Sequence, residues 1–250
     1  MTKPLANASN ASDTTARSSL VERTELAVGA LHLWLCHRGS VADSDTFKRR
    51  VLSRYSPVAP SEWAFVLGKH GKPCTVGTTP ELYFNLSHSG DWLACAVAAD
   101  AAVGVDLEFC DSRREVMKLA RRFFCPQEVS SLSACEPALQ SDRFYDLWTL
   151  KEAAIKARGD ALGPGLQRRC FEVNVRSDEH AAAAGSISVT ASAMIERAHY
   201  YLLDPLPAYR VAICSLASSV APPELRIFRW SGAAAADEHS VSLRASSRRM

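Results

Sequence analysis

The sequence lacks the marks of several protein classes. No run approaches the ~18 consecutive apolar residues that a membrane-spanning helix needs, and residues 1–20 contain no apolar core of the signal-peptide kind. Charge of one sign is also missing: 29 Lys and Arg against 27 Asp and Glu leave a formal +2, too little to predict a nucleic acid as partner, and no segment predicts a membrane contact. The eight cysteines form no CxxC pair and keep no regular spacing. Several stand inside apolar runs, as Cys95 does in WLACAVAA, which predicts buried reduced thiols in a cytoplasmic protein, with neither a disulfide nor a zinc framework. The phosphate-binding pattern G-x-x-x-x-G-K-[ST] is absent, as is the G-x-S-x-G of many serine hydrolases, and no short-period repeat of the solenoid kind occurs.

What is present fits an ordinary globular chain: 250 residues, 47% hydrophobic and 22% charged. Residues 1–20 are rich in Ser, Thr, Asn and Ala, with Asp13 the sole acid, and predict a disordered leader; an organelle transit peptide shares that composition. Order is expected from Val21. Strands are predicted at 30–35, 63–67, 82–86, 92–99 and 102–109, with SHSGD as the turn between the third and fourth and a Gly- and Pro-rich loop over 68–80. The basic segment FKRRVLSRY (47–55) has helical character. A helix is predicted over 113–124 from Val116, Leu119, Ala120, Phe123 and Phe124, with Pro126 as its stop, and another over 142–158 ending before Gly159. Four more strands are predicted, at 171–175, 186–190, 199–203 and 209–216, and residues 221–250 read as a loosely ordered tail. Strands in meanders with a few helices point to an α+β fold.

Four segments can carry chemistry. In GVDLE (104–108) the period of a strand puts Asp106 and Glu108 on one face and Val105 and Leu107 on the other. Two carboxylates about 7 Å apart repel, and a hard cation removes that cost; alone, the pair is more often a solvated strand face. In FYDLWTLKEAAIKARG (144–159), Tyr145, Thr149, Glu152 and Lys156 share a helical stripe, and the last two meet at i, i+4. The loop GKHGKPC (68–74) offers Lys69 and Lys72 beside glycines, which by itself describes a basic turn. FNLSHSG (84–90) places Ser87, His88 and Ser89 at a strand end, where a single His is more often structural.

Taken in order, GKP, FNLSHSG, GVDLE and the WxxKEAxxK run (148–156) closely resemble the 4′-phosphopantetheinyl transferase superfamily, over about Arg49 to Ala217. The resemblance is to its surfactin-synthetase-activating type. It implies two similar α+β lobes related by a pseudo-twofold: an N-terminal lobe at 21–103 with coenzyme A contacts, and a C-terminal lobe at 104–220 with metal and catalytic residues. It implies Mg²⁺, with Mn²⁺ as an alternative, on Asp106, Glu108 and Glu152. Coenzyme A would be the substrate, contacted by Arg49, Lys72, Pro73, Ser87, His88, Lys151 and Lys156. The implied reaction moves the phosphopantetheine arm to a serine of an acyl or peptidyl carrier protein, with Glu152, Lys156 and Asp106 catalytic, in a monomer. Helix 113–124, with Arg113, Arg114, Lys118, Arg121 and Arg122 against Glu115, is where an acidic carrier would dock. One departure stands out: only the residues 36–49 separate Leu35 from Arg50, and the longer basic stretch usual there is missing, leaving Arg38, Lys48, Arg49 or Arg54 for the 3′-phosphate. The competing readings are a carrier-binding scaffold without catalysis and a serine hydrolase built on Ser87 or Ser89 with His88.

Overall fold

The computed structural model describes residues 23–77, 81–161, 166–167, 169–175, 185–191, 198–216, 221–232 and 236–247. In chain order the elements begin with strand β1 (Ala30–His37), helix α1 (Ser44–Leu52) and strands β2 (Phe65–Leu67), β3 (Pro73–Thr75), β4 (Tyr83–Ser89), β5 (Trp92–Ala98) and β6 (Val103–Phe109). Helices α2 (Val116–Phe123), α3 (Pro126–Ala134) and α4 (Pro137–Arg158) follow. Strands β7 (Arg169–Asn174), β8 (Gly185–Ala191), β9 (His199–Asp204), β10 (Tyr209–Ser215), β11 (Glu224–Trp230), β12 (Ala236–Glu238) and β13 (Ser242–Ser247) complete the chain. One sheet runs β12-β11-β1-β5-β4, another β6-β10-β9-β13-β8-β7, and β2 pairs with β3. The α+β class is as expected.

Strand β1 explains the layering. It is buried from Leu31 to Cys36, so both faces of ALHLWLCH need cover. Leu31, Leu33 and Leu35 pack with Val105, Leu107, Val211 and Ile213 of the facing sheet. Trp34 and Cys36 point the other way, onto Phe47, Val51 and Leu52 of α1. On the far side of the second sheet, Tyr200, Leu202, Ala212 and Cys214 meet Phe144, Tyr145, Leu147 and Leu150 of α4. The order is therefore α1, sheet, sheet, α4, with the apolar faces buried at about 25 cal/mol per Å² removed from water. Among the described residues no helix is long and apolar enough to cross a membrane.

Several sequence expectations are corrected. Pro126 does not merely end a helix; it is the first residue of α3, a position where the missing N–H costs nothing, and Glu128 reaches back to the Cys125 N–H. Helix α2 starts at Val116, three residues after the predicted 113, because Arg113 folds back onto Asp111. Helix α4 starts earlier than predicted, at Pro137, and ends at Gly159, which takes the left-handed φ of 66° that favours glycine. Ser87, His88 and Ser89 lie within β4, and the turn is confined to Gly90 and Asp91. Residues 73–75, within the predicted loop, pair as a short strand. The expected loose tail over 221–250 contains β11, which pairs parallel to β1 from Ala30–Glu224 to Cys36–Trp230, as well as β12 and β13. The cysteine reading fails for one pair: Cys125 and Cys170 form a disulfide. Cys36, Cys95 and Cys214 are buried free thiols as expected.

Candidate active site

The two large sheets meet edge to edge at β4 and β6. The outer edge of β6 presents N–H groups that have no strand partner, and unpaired buried donors are costly. Side chains of β4 accept them. Val105 N–H donates to Asn85 Oδ1 at 2.9 Å, Leu107 N–H to Ser87 Oγ at 3.1 Å, and Phe109 N–H to Ser89 Oγ at 3.0 Å. The strand period of two thus turns N-x-S-x-S into a side-chain ladder. The serine protons go across the same seam: Ser87 Oγ donates to Asp106 Oδ1 at 3.0 Å and Ser89 Oγ to Glu108 Oε2 at 3.1 Å.

Helix α4 crosses the other face of β6 at very short range. A Cβ on Gly104 would lie 2.1 Å from the Ala153 carbonyl oxygen and 2.3 Å from the Ala157 nitrogen, so only glycine permits this approach. The approach carries the second half of the site. Lys156 Nζ lies 2.6 Å from Asp106 Oδ1 and 3.1 Å from Ser87 Oγ. Trp148 Nε1–H donates to Glu108 Oε1 at 3.2 Å. Glu152, buried on the same helix, adds a third carboxylate facing the first two.

The electrostatics follow from crowding acids in a dry place. Burial raises the Asp106 pKa, opposed by the Lys156 ammonium. Burial and then Asp106 raise that of Glu108. Burial, with the charges of Asp106 and Glu108 behind it, lifts Glu152 to about 7. Asp106 Oδ2 is buried with no hydrogen-bond partner, and no donor among the described residues reaches the Glu152 carboxylate. These are the conditions a divalent cation relieves. Among the described residues no three ligand-type side chains close into a ready-made metal cage.

The remaining predicted site residues fall into two groups. Lys72 lies at the seam, but its ammonium donates to the Val103 carbonyl at 3.0 Å and the Ala157 carbonyl at 2.8 Å, tying the β2–β3 hairpin to β6 and to the end of α4. Burial lowers its pKa. Pro73 opens β3 opposite Leu67. His88 is exposed, on the other face of β4 from Ser87 and Ser89, because successive residues of a strand alternate. That removes the hydrolase geometry, since no serine of this strand can share a proton with it.

Arg49 and Lys151 do not join the cluster. Arg49 gives its donors to Asp45 Oδ2 at 2.5 Å and the Trp63 carbonyl at 2.8 Å, beside the Phe65 ring, where Lys48 also sits. Lys151 is turned away from β6 because one residue advances about 100° around a helix. It is buried against Glu128 at 2.7 Å and the Leu166 and Arg169 carbonyls, each at 2.6 Å, which corrects the coenzyme A contact expected of it. Conversely, sequence reasoning did not single out Asn85 or Trp148 for the site, and it offered Ser89 only as a hydrolase nucleophile. The period-two N-x-S-x-S pattern and the placing of Trp148 four residues before Glu152 were the available signals.

Comparison with known proteins bears on the family of the chain. A family model described as the 4′-phosphopantetheinyl transferase superfamily matches residues 102–214, which span β6 through α4 to β10. "4′-Phosphopantetheinyl transferase Sfp" of Bacillus subtilis (strain 168) is 32% identical over 171 residues, covering 68% of this chain and 71% of that protein. "Putative 4′-phosphopantetheinyl transferase slr0495" of Synechocystis sp. is 33% identical over 138 residues, 55% of this chain and 56% of that protein. A solved holo-(acyl-carrier-protein) synthase from Bacillus anthracis, in complex with CoA (3′,5′-ADP), aligns with a TM-score of 0.34 and 22% identity over 48% of this chain and 98% of that one.

Proposed function

The chain belongs to the 4′-phosphopantetheinyl transferase superfamily, and we propose that it transfers the phosphopantetheine arm of coenzyme A to a serine hydroxyl of an acyl or peptidyl carrier protein. The products are the holo-carrier and adenosine 3′,5′-bisphosphate. The observation that carries this reading is the meeting of Asp106, with its unpartnered Oδ2, Glu152 and Lys156 where α4 crosses β6.

Asp106, Glu108 and Glu152 are the residues that would hold Mg²⁺ or Mn²⁺. The cation supplies charge neutralisation at the pyrophosphate of coenzyme A. Glu152, buried where α4 crosses β6, is the group placed to take the proton of the carrier serine as that oxygen attacks the β-phosphorus. Lys156 reaches the same place with a cation of its own and stabilises charge on the departing bisphosphate. Pro73, Ser87 and His88 border the nucleotide end in this reading, while the Lys72 ammonium serves the fold. In this reading the lobes, 21–103 and 104–220, part near the passage from β5 to β6, with β11 and β12 returning to the first sheet from beyond 220, and the chain acts as a monomer.

The carrier fits the exposed face of α2. Lys118, Arg121 and Arg122 lie on α2 and Arg113 and Arg114 just before it, all five exposed, with Arg113 paired to Asp111 and Lys118 to Glu115. Such a face steers an acidic partner and speeds encounter at low salt. The test is the intact mass of apo-carrier proteins of the fatty-acid, polyketide and peptide classes after incubation with the chain, coenzyme A and Mg²⁺. A gain of one phosphopantetheine arm that vanishes with EDTA supports the reading; no gain on any class sinks it in favour of the non-catalytic scaffold.

A further inference from the structure

We propose that Ser89 and Trp148 are positioning residues that fix Glu108 for the cation, so that the seam between the two sheets sets the metal geometry. The inference rests on the metal reading above. Glu108 lies at the open end of β6, half-buried, next to the exposed Phe109. Both of its carboxylate oxygens are held. Trp148 Nε1–H takes Oε1 and Ser89 Oγ–H takes Oε2.

The direction of the serine bond is forced. Phe109 N–H donates to Ser89 Oγ, and an N–H cannot accept in return. The one hydroxyl proton is left for the carboxylate. The same logic repeats two residues earlier, where Leu107 N–H fills an acceptor site of Ser87 and the serine proton goes to Asp106. Trp148 is itself immobilised, stacked on Phe144 at 5.6 Å and edge-on to Phe123 at 5.8 Å. The carboxylate is therefore clamped between a rigid indole on α4 and a strand of the other sheet, and partners of this kind orient metal-binding groups.

The test measures binding of Mn²⁺ alone to the full chain, from the free-ion signal in electron paramagnetic resonance, without turnover. Trp148→Phe keeps an aromatic ring at the stack and removes the donor, with some packing volume; Ser89→Ala removes the hydroxyl, and Ser89→Thr restores it. Trp148→Phe and Ser89→Ala are each expected to weaken Mn²⁺ binding about tenfold, with recovery in Ser89→Thr. In a Glu108→Ala background, Trp148→Phe is expected to change nothing further, a pattern that general loss of packing would not produce. Asp106→Ala separates the two levels of the argument. If it weakens binding while Trp148→Phe does not, the positioning role is wrong and the metal site stands. If Asp106→Ala also leaves binding intact, the metal reading fails and this inference falls with it.

Discussion

In the absence of a cation, raising the pH should destabilise the protein, and Glu152→Gln should remove much of that loss. The ordinary glutamate value of 4.5 applies to the unfolded chain, and the folded value is about 7. The folded state thus holds a proton that the unfolded state has released between those two values, so stability falls as the pH rises through this window. Below about 4.5 the carboxyl is protonated in both states and the penalty is absent; above 7 it is present in full. The size is about 3 kcal/mol, at 1.36 kcal/mol per pKa unit. For a chain of this length that corresponds to a Tm lower by roughly 6–12 °C at pH 8 than at pH 5. Asp106 and Glu108 shift in the same direction, for the same cause of burial, so some slope will survive in the variant. Thermal unfolding in EDTA at pH 5, 6, 7 and 8 measures it. Mg²⁺ should restore stability at pH 8 and do little at pH 5. An unchanged slope in Glu152→Gln, or a variant less stable than the parent at pH 8, would refute the reasoning.

Three further predictions follow from particular contacts. Asp106→Ala and Glu152→Ala should each abolish formation of holo-carrier, followed by intact mass; turnover near the parent rate would mean the cation is held elsewhere. Lys72→Met leaves the Val103 and Ala157 carbonyls without their shared donor, at about 3 kcal/mol for two charge-assisted bonds. Its Tm should fall, and a raised KM for coenzyme A with an unchanged Tm would return the lysine to the substrate instead. Gly104→Ala puts a methyl group 2.1 Å from the Ala153 oxygen, so it should cost more than about 4 kcal/mol or prevent folding; a soluble variant melting with the parent would show that α4 does not pass so near.

What could be read from the sequence was local and periodic. The alternation in GVDLE gave the right faces: Val105 and Leu107 are in the core between the sheets, and Asp106 and Glu108 face α4 and β4. The i, i+4 spacing of Glu152 and Lys156 put both beside Asp106. What escaped was settled by distant partners. Residues 224–230 carry strand character that shows only beside β1, nearly two hundred positions earlier. Lys72 and Lys151 look alike as motif lysines. Their targets are carbonyls and a buried Glu128 that come from other parts of the chain, and no spacing rule announces them. Pro126 reads as a stop in the sequence because a proline before a helix and a proline after one are the same letter, whereas it opens α3.

The parallel pairing of β11 with β1 has a consequence for how this molecule can be divided. Phe228 stacks on Trp34 at 4.7 Å between ring centres, and Trp230 packs on the same indole and on Phe47. A fragment ending at the lobe boundary would carry β1 with one flank bare and its tryptophan uncovered, a ready template for pairing between molecules. Neither lobe can therefore be expressed by cutting the chain once. A split version would need the 224–230 strand transplanted to the amino-terminal piece, and a fusion or tag joined through that strand would strike the first lobe although it is attached near the other end of the polypeptide.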